Sequence, residues 1–314
     1  MSAANFSAPS GALSGGRISL ARPLAPGVSA IDANDPTFSD LAGVLTGMKP
    51  VTYTDCFPEQ FRRLAGLCRK LKLEYLLAED YLAKAGHHFN NQKKMVLIGK
   101  NKTKLIAAAK AWAVSPSAWG TFLGYPACCV KKYSAWSDGK KEDLVRATAR
   151  NTRGAGRLDF RLNNVWNYFS RMNFNDPADR AAYAAFLDRN QGLDLASSHV
   201  VSWHPCSYRC PASVKKADTI FSFMERHAPD YAELLRGLLA RQVIFWDKFR
   251  YAALGPALPR VRSLLDAKTD ALLAACGTAA RGRGGVKLAG PGKKQLLLPK
   301  EALLLDFRDQ ASRS

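Results

Sequence analysis

The chain has 314 residues, of which 47% are hydrophobic and 10% are aromatic. This composition supports a packed core and excludes wholesale disorder. The sequence contains no run of about 18 uncharged apolar residues, the length that a membrane-spanning helix needs. The 46 Lys and Arg residues outnumber the 26 Asp and Glu residues, giving a formal net charge of +20. Such an excess predicts an anionic partner, RNA or a phosphorylated substrate among others, although a solvated basic surface explains it equally well.

Along the chain, residues 1–50 are rich in Ser, Ala, Gly and Pro, which predicts a flexible N-terminal segment. Residues 1–31 contain six serines, two arginines and no acid, a composition also found in organelle transit peptides. We favour a plain tail. Helical apolar spacing then predicts a helix over 58–85, and a short apolar run predicts a strand over 95–99. Two further helices are predicted over 105–112 and 126–136.

The second half of the chain continues the mixture. We predict short helices over 162–169 and around 183–187, a strand over 198–203, helices over 211–224 and 230–253, and a hairpin of 286–288 with 295–298. The fold class is therefore α/β or α+β, helix-rich with a small sheet and a C-terminal β-hairpin. We divide the chain into a flexible segment (1–50), a globular domain (51–275) and a basic C-terminal β-hairpin extension (276–314).

The seven cysteines are too few for a disulfide scaffold in a chain of this length, and their number is odd. The N-terminus lacks the apolar core of a secretory signal, so we expect reduced thiols and an intracellular, cytoplasmic location. Four cysteines occupy two similar elements, Gly124-Tyr125-Pro126-Ala127-Cys128-Cys129-Val130 and His204-Pro205-Cys206-Ser207-Tyr208-Arg209-Cys210-Pro211. In both, cysteines lie at a helix start marked by proline, where backbone N–H groups stabilise a thiolate. These elements predict a metal or iron–sulfur centre.

Local geometry restricts the predicted ligand set. Adjacent helical residues point about 100° apart, so Cys128 and Cys129 should not both reach one ion easily. Cys206 and Cys210, four residues apart, can point the same way. We therefore predict three thiolates, with His204 or the second vicinal cysteine as the fourth ligand. His204 and Cys129 are the catalytic candidates, and His204 is placed at the carboxyl end of the predicted strand.

The identity of the centre is left open between two metals. Structural zinc sites commonly use two-residue gaps within each cysteine pair, and neither pair here has that spacing. Iron–sulfur clusters tolerate more varied spacing, so we favour an iron–sulfur cluster over zinc. Independent buried cysteines and a metal-free redox pair are the competing interpretations.

The two cysteine elements resemble an uncharacterised family of archaeal and bacterial proteins with Gly-Tyr-Pro-x-Cys-Cys-Val and His-Pro-Cys-Ser-x-x-Cys-Pro-x-Ser elements. The resemblance covers residues 115–227 approximately, and it depends on Cys128, Cys129, His204, Cys206, Cys210 and Ser213. It implies that the two elements belong together. It implies no reaction.

Three basic segments could bind an anion. Lys93, Lys94, Lys100, Lys102, Lys104 and Lys110 form a run without an acid, and Arg146, Arg150, Arg153, Arg157 and Arg161 follow helical spacing. Basic residues also bracket the predicted C-terminal hairpin. Phosphate contacts need such charges, but no nucleic-acid-binding motif accompanies them.

Three functions are consistent with these features. The first is an enzyme of redox or sulfur-transfer type, an oxidoreductase or transferase with an iron–sulfur or other metal centre, acting on an anionic substrate. The second is an RNA-binding protein that zinc stabilises without catalysis. The third is a metal-free thiol redox protein. The sequence gives no prediction about protein partners.

Overall fold

The computed structural model describes residues 16–32, 36–82, 93–112, 114–139, 142–154, 157–166, 176–190, 197–255, 261, 263–282, 285–289, 295–298 and 301–309. Within these ranges the helices are α1 (Phe38–Leu45), α2 (Pro58–Lys70), α3 (Glu79–Leu82), α4 (Lys102–Trp112), α5 (Pro116–Phe122), α6 (Ala127–Gly139), α7 (Leu144–Asn151), a 3-10 turn (Phe160–Leu162), α8 (Pro177–Arg189), α9 (Pro211–His227), α10 (Pro229–Leu239) and α11 (Ala267–Ala275). None of the helices in the described ranges is both long enough and apolar enough to cross a membrane.

The strands in the same ranges are short and pair in antiparallel fashion. They are β1 (Arg17–Ser19), β2 (Ala30–Asp32), β3 (Val51–Cys56), β4 (Glu74–Leu77), β5 (Lys94–Gly99), β6 (Gln242–Phe245), β7 (Tyr251–Ala253), β8 (Thr278–Gly282), β9 (Gly285–Ala289), β10 (Gln295–Leu298) and β11 (Leu303–Asp306). They form a β1-β2 ribbon and three-stranded sheets in the orders β3-β5-β4, β11-β6-β7 and β10-β9-β8. In the β3-β5-β4 sheet both outer strands run antiparallel to β5, with Val51 and Glu74 each opposite Gly99.

One large hydrophobic cluster joins most of these elements. It includes Phe38, Trp166, Tyr208 and Met224, all fully buried, and it extends to Cys129 and Cys210. Two smaller clusters lie beneath the C-terminal strands and between β5 and α4. Because two of the four motif cysteines belong to the main cluster, the candidate centre lies at the edge of the principal core.

Several predictions are confirmed. The fold is mixed and helix-rich, with small antiparallel sheets and a C-terminal hairpin of β9 and β10. The predicted strand at 95–99 and the helices at 105–112, 126–136 and 211–224 correspond to β5, α4, α6 and α9. The helix predicted around 183–187 lies inside α8.

Other boundaries were predicted wrongly. The helix predicted over 58–85 ends at Lys70, because Lys72 adopts a φ of 55° and the chain then forms β4 against β5. The helix predicted over 230–253 ends at Leu239, since residues 242–245 are the central strand of the β11-β6-β7 sheet. Residues 198–203 form no strand, and of the described residues 162–166 only Leu162 is helical, as the last residue of the 3-10 turn.

The described residues of the N-terminal 50, which composition predicts to be flexible, form β1, β2 and α1. Ile18 and Leu41 from this segment are buried in the main cluster. In the C-terminal region, β11 pairs with β6, with Leu303 opposite Phe245. The basic C-terminal extension is therefore joined to the preceding part of the chain through this sheet.

Candidate metal centre

Four cysteines from the two sequence elements converge. The sulfur atoms of Cys128, Cys129, Cys206 and Cys210 all lie within 4.8 Å of one another. Cys129 and Cys210 are buried, Cys206 is half-buried and Cys128 is exposed. The four thiols therefore form a compact group that is enclosed on one side and open to solvent on the other, and such a group could hold a metal ion.

Three of the six sulfur–sulfur separations match those around a single tetrahedral ion. Zinc–thiolate bonds of about 2.3 Å in tetrahedral geometry place neighbouring sulfurs about 3.8 Å apart. The Cys128–Cys129, Cys128–Cys210 and Cys129–Cys210 sulfur pairs are separated by 3.9, 3.5 and 3.7 Å. Cys206 Sγ lies within 4.8 Å of each of these three sulfurs, so the four thiols could hold a thiophilic metal.

The first pair is presented by the start of α6. Gly124, with a φ of 76°, reverses the chain after α5, and an added Cβ there would lie 2.5 Å from Pro50 Cδ. The backbone N–H of Cys129 then donates to the carbonyl of Pro126 at 2.8 Å, which closes the first turn. Glycine at 124 and proline at 126 thus fix where the helix begins and where its cysteines project.

The second pair lies on the turn that precedes α9. Cys210 is the N-cap residue of α9, and Pro211 occupies its first position. Two threonines hold the turn, Thr148 in α7 and Thr152 just after it. Thr148 donates to the carbonyl of Pro205 at 3.1 Å, and the Tyr208 N–H donates to Thr152 at 3.0 Å. Both cysteine pairs therefore lie at helix N-termini, whose positive dipole ends favour thiolates.

Hydrogen bonds are directed at the most buried sulfur. The backbone N–H of Cys206 donates to Cys129 Sγ at 3.3 Å, and Ser213 Oγ lies 3.2 Å from the same sulfur. Ser213 is fully buried and accepts a hydrogen bond of 3.0 Å from the indole N–H of Trp203. Its own proton is therefore available to Cys129. Such outer contacts orient metal ligands and stabilise their negative charge.

The thiols differ in acidity. Burial raises the pKa of Cys129 far above its ordinary value, and burial with the neighbouring Cys210 and Cys128 raises the pKa of Cys206 to about 12. Burial also opposes ionisation of Cys210, but hydrogen bonds from Ser213 and from the neighbouring thiols outweigh it and lower the pKa of Cys210 to about 7. Of these three thiols, only Cys210 therefore ionises near neutral pH. A bound cation would allow the remaining thiols to ionise.

The expectation that Cys128 and Cys129 would not easily both reach one ion differs from this geometry, and of the two alternatives for a fourth thiol or imidazole the second vicinal cysteine is the one within the group. The two sulfurs lie 3.9 Å apart, and each is within 3.7 Å of Cys210 Sγ. The 100° angle applies to the directions of the two Cβ atoms around the helix axis. Rotation about χ1 brings the sulfurs back toward a common point between those directions.

His204 is placed outside the group of four sulfurs. Its Nδ1 accepts a hydrogen bond from the Asn164 side-chain amide, and Tyr208 donates to the oxygen of the same amide at 3.4 Å. Tyr133 stacks on the imidazole at a centroid distance of 6.3 Å and an interplanar angle of 12°. With Nδ1 as the acceptor, a neutral imidazole carries its proton on Nε2. No strand precedes His204 among the described residues 197–203, so the expected position at a strand end does not apply.

A cavity of about 250 Å³ adjoins the centre. It is bordered by Cys129 and His204 and by many aromatic side chains: Tyr53, Trp112, Trp119, Tyr125, Tyr133 and Trp203. Tyr125 and Trp203 lie 5.3 Å apart by ring centroids, and Tyr53 and Trp119 lie 5.5 Å apart. We call this space the aromatic cavity. It places one ligand of the candidate centre in the wall of a small, aromatic-lined space.

A buried ion pair lies behind the aromatic cavity. Lys49, only 1% exposed, forms a 2.6 Å salt bridge with Asp40 and donates a 3.0 Å hydrogen bond to Ser202. Tyr125 Oη lies 3.3 Å from Ser202 Oγ, and both residues line the cavity. Burial alone would raise the pKa of Asp40, but the positive charges of Lys49 and His199 outweigh burial and lower it.

Sequence reasoning missed Asp40, Lys49 and Ser202. One related signal in the sequence is the glycine at position 43. An added Cβ there would lie 2.7 Å from the Lys49 side chain, but a glycine inside a short helix can occur for many other reasons. Tyr125 belongs to the first cysteine element and Ser202 lies two residues before the second. Neither position carries a recognisable chemical signal in the sequence alone.

The predicted anion-binding arginines make many internal contacts. Arg146 donates to the carbonyls of Trp246 and Glu301, Arg157 donates to that of Asp309, Arg150 pairs with Glu142, and Arg161 pairs with Asp159 and Asp218. Helix α7 ends at Asn151, so Arg153, Arg157 and Arg161 do not continue one helical face. Arg146, Arg157 and Arg161 connect distant segments of this chain, and an anion-binding role for the five arginines stays a prediction.

The predicted lysine segment is more exposed. Lys102 and Lys104 are exposed on the first turn of α4, whereas Lys100 donates to the carbonyl of Leu45 at 2.9 Å. Lys94 pairs with Glu79 at 2.7 Å, which supplies an acid that the local sequence lacks.

Comparison of the chain with protein-family models, with curated proteins and with solved structures found no match.

Proposed function

We propose that this protein binds one zinc ion through Cys128, Cys129, Cys206 and Cys210, and that the ion fastens the start of α6 to the turn before α9. The observation that carries the proposal is the convergence of four sulfurs within 4.8 Å from two elements about 80 residues apart in sequence. A zinc ion with four thiolate ligands has no open coordination position, which is typical of a structural site.

The sulfur separations favour one ion over a multinuclear cluster. An iron–sulfur cluster distributes its thiolates over two or more iron atoms, so the four sulfurs would spread wider than around a single ion. The separations of 3.5–3.9 Å among Cys128, Cys129 and Cys210 are the size expected within one coordination sphere. A mononuclear site therefore agrees better with the geometry than the cluster that cysteine spacing favours.

The centre also shapes the aromatic cavity. Cys129 lines the cavity directly, and Trp203 is held by its hydrogen bond to Ser213, which in turn contacts Cys129 Sγ. Bonds from the ion to Cys129 and Cys206 would keep α6 and the Trp203 segment in register. We infer that metal binding keeps this wall of the cavity in place, so the structural role of the ion supports a binding role of the protein.

A second candidate is an enzyme of redox or sulfur-transfer type with an iron–sulfur centre. One observation favours it: Cys129 and His204 both line the aromatic cavity, so a molecule in the cavity would lie against a ligand of the centre. In that function His204, protonated on Nε2 when neutral, is the candidate for proton transfer.

Metal analysis of the full-length protein, purified under anaerobic conditions, tests the proposal. We expect close to one zinc per chain, no acid-labile sulfide and no visible absorption. Substitution of zinc by Co²⁺ should give the intense thiolate-to-cobalt and ligand-field bands of a tetrahedral site. Serine replacement of Cys129 or Cys210 should reduce the bound metal strongly, whereas Cys56→Ser and Cys276→Ser, at buried cysteines outside the group, should not.

Other results would select a different function. Iron with stoichiometric sulfide and a brown colour would favour the second candidate. Protein without metal, even when purified with added zinc under reducing conditions, would contradict both. It would leave the metal-free thiol protein, for which Cys128 and Cys210, with sulfurs 3.5 Å apart, are a candidate redox pair.

A further inference from the structure

We propose that the aromatic cavity binds a nucleobase, stacked between aromatic side chains and hydrogen-bonded through its polar edge to Tyr125 and Ser202. This proposal goes beyond the metal-binding function, and its test is chosen so that either can fail without the other.

The walls of the cavity suit a flat, uncharged ring. Of the described residues that line it, none is Asp, Glu, Lys or Arg. Aromatic side chains come from Trp112, Trp119 and Tyr133 on three different helices, and from Trp203. A volume of about 250 Å³ is below the usual range for drug-sized ligands, so the space fits a single ring system. Flat π-systems stack on such side chains, each base gaining about 1–3 kcal/mol.

One end of the cavity is polar and rigid. The Lys49 ammonium can only donate, so Ser202 Oγ accepts from it at 3.0 Å. The Ser202 hydroxyl lies within hydrogen-bonding reach of the Asp40 carboxylate and 3.3 Å from Tyr125 Oη. Two hydroxyls are therefore held at fixed positions by an ion pair that is itself buried.

The raised pKa of Tyr125 keeps the phenol at this end of the cavity uncharged. Burial raises the pKa of Tyr125 well above its ordinary value, and the nearby Tyr53 and Asp40 raise it further. Because Ser202 accepts from Lys49 and its proton is directed to Asp40, its oxygen keeps one position that can accept, whereas the neutral Tyr125 phenol can donate. This pair matches a ring edge that carries N–H and C=O groups side by side, which is the edge that nucleobases present.

The helices that line the cavity also carry exposed lysines. Lys110 lies two residues before Trp112 in the sequence, and Lys131 and Lys132 immediately precede Tyr133. The chain as a whole carries a formal charge of +20. An aromatic cavity accompanied by lysines is the combination that binds a base together with its phosphate. The base could belong to a free nucleotide or to an RNA strand.

Equilibrium dialysis of the full-length, metal-loaded protein tests the proposal. The probes are the four ribonucleosides, their 5′-monophosphates and 12-nucleotide single-stranded RNA homopolymers of each base. We expect saturable, 1:1 binding of at least one base type. Ser202→Ala should weaken it about tenfold through loss of one hydrogen bond, and Trp119→Leu should weaken it roughly tenfold or more through loss of stacking.

Matched variants control for effects on folding. Ser117→Ala changes an exposed serine on α5, the same helix that carries Trp119. Trp246→Leu changes a tryptophan that packs against the C-terminal cluster and does not line the aromatic cavity. Both should bind the probes as the unchanged protein does. Zinc content, measured for every variant, should stay at one per chain.

The probes also distinguish the two sources of the base. Equal affinity for nucleoside and oligonucleotide supports a free small-molecule ligand. Tighter binding of one homopolymer, weakening as salt rises and still sensitive to Ser202→Ala, supports a base within RNA. The proposal is overturned if no probe binds, or if binding is unchanged in both Ser202→Ala and Trp119→Leu while zinc stays bound. If the unchanged protein holds no zinc but still binds a nucleobase, the metal proposal alone is overturned.

Discussion

The hydroxyl of Ser213 lies 3.2 Å from the sulfur of Cys129, accepts a hydrogen bond from the indole N–H of Trp203, and also contacts the thiol of Cys210. Ser213 is fully buried on the first turn of α9, whereas Cys129 is on the first turn of α6. A single side chain thus joins the two elements that supply the sulfurs. Because the indole donates to the serine oxygen, the serine proton is directed to sulfur, which favours the thiolate form of Cys129.

We expect Ser213→Ala to weaken zinc binding 10- to 100-fold, the range typical of contacts that orient metal ligands. The variant should also unfold more easily by about 1–3 kcal/mol, because the buried indole N–H loses its acceptor. Competition with a chromophoric chelator measures the affinity, and urea titration measures the stability.

Trp203→Phe provides the control for that prediction. It removes the indole donor but leaves the contact of Ser213 with Cys129, so zinc affinity should change far less than in Ser213→Ala. Equal zinc affinities in Ser213→Ala and the unchanged protein would show that the hydroxyl does not act on the sulfur.

Zinc binding should release protons. Cys129 and Cys206 have raised pKa values, about 12 for Cys206, and must lose their protons when they bind the ion. Cys210, with a pKa of about 7, should add one more proton when binding occurs below that pH. Apparent affinity should therefore fall as pH decreases, and more steeply below pH 7 than above it.

Calorimetry in buffers of different ionisation enthalpy measures this release directly. We expect at least two protons per zinc at pH 8 and a larger number at pH 6. Fewer than one proton at pH 8 would mean that the thiols are already ionised, or that the cysteines do not hold the ion.

The sequence was informative about the centre because its signals are local. Proline-marked helix starts at Pro126 and Pro211 place cysteines on first turns, and both helices exist. The sequence could not give the number of ligands. That number depends on the χ1 angles of Cys128 and Cys129 and on how the Cys206 turn lies against α7, which are consequences of tertiary packing.

Sequence periodicity failed where sheet pairing decides the structure. The apolar positions after Leu71 continue a helical pattern, yet Tyr75 and Leu76 lie in β4 opposite Ile98 and Leu97. Residues 242–245 are likewise a central strand because β11, near the end of the chain, pairs with them. The Asp40–Lys49 pair could not be predicted either, because burial of a charge depends on the elements packed around it.

The Asp40–Lys49 pair gives a prediction with a definite pH dependence. Lys49→Met should destabilise the protein by about 3–5 kcal/mol at neutral pH, because Asp40 is left buried without its main partner. His199 would compensate only in part, since Lys49 is the larger of the two favourable charges acting on Asp40. Replacing both residues, in Asp40→Leu with Lys49→Met, should recover much of the loss.

The sign of the pH effect follows from the lowered pKa of Asp40. In the unchanged protein its ionised form stabilises the fold above pH 3.8, and that contribution is lost as pH falls through the lower, folded-state value. In Lys49→Met burial dominates and the pKa of Asp40 rises, so the difference in stability between the two proteins should shrink as pH falls. Urea titrations between pH 4 and pH 8 measure it. A difference that is constant over this range would contradict the buried charge.

Gly124 offers the most direct test that backbone geometry positions the metal ligands. Its φ of 76° disfavours any side chain, and an added Cβ would lie 2.5 Å from Pro50 Cδ and 3.1 Å from the carbonyl oxygen of Met48. We expect Gly124→Ala to destabilise the fold by at least about 1–3 kcal/mol, the usual cost of such a backbone conformation, with the clash added to it. Since relief of the clash must move the start of α6, zinc affinity should fall as well.

Gly66→Ala is the matched control for this substitution. Gly66 lies inside α2 and an added Cβ there meets nothing within 4 Å, so alanine should stabilise the protein by about 0.5–1 kcal/mol and leave zinc affinity unchanged. If Gly124→Ala lowered stability but bound zinc as tightly as Gly66→Ala, α6 would tolerate displacement without loss of the site. The turn at Gly124 would then serve folding alone, and the approach of Cys128 and Cys129 to the second pair would have to be fixed by Ser213 and the ion.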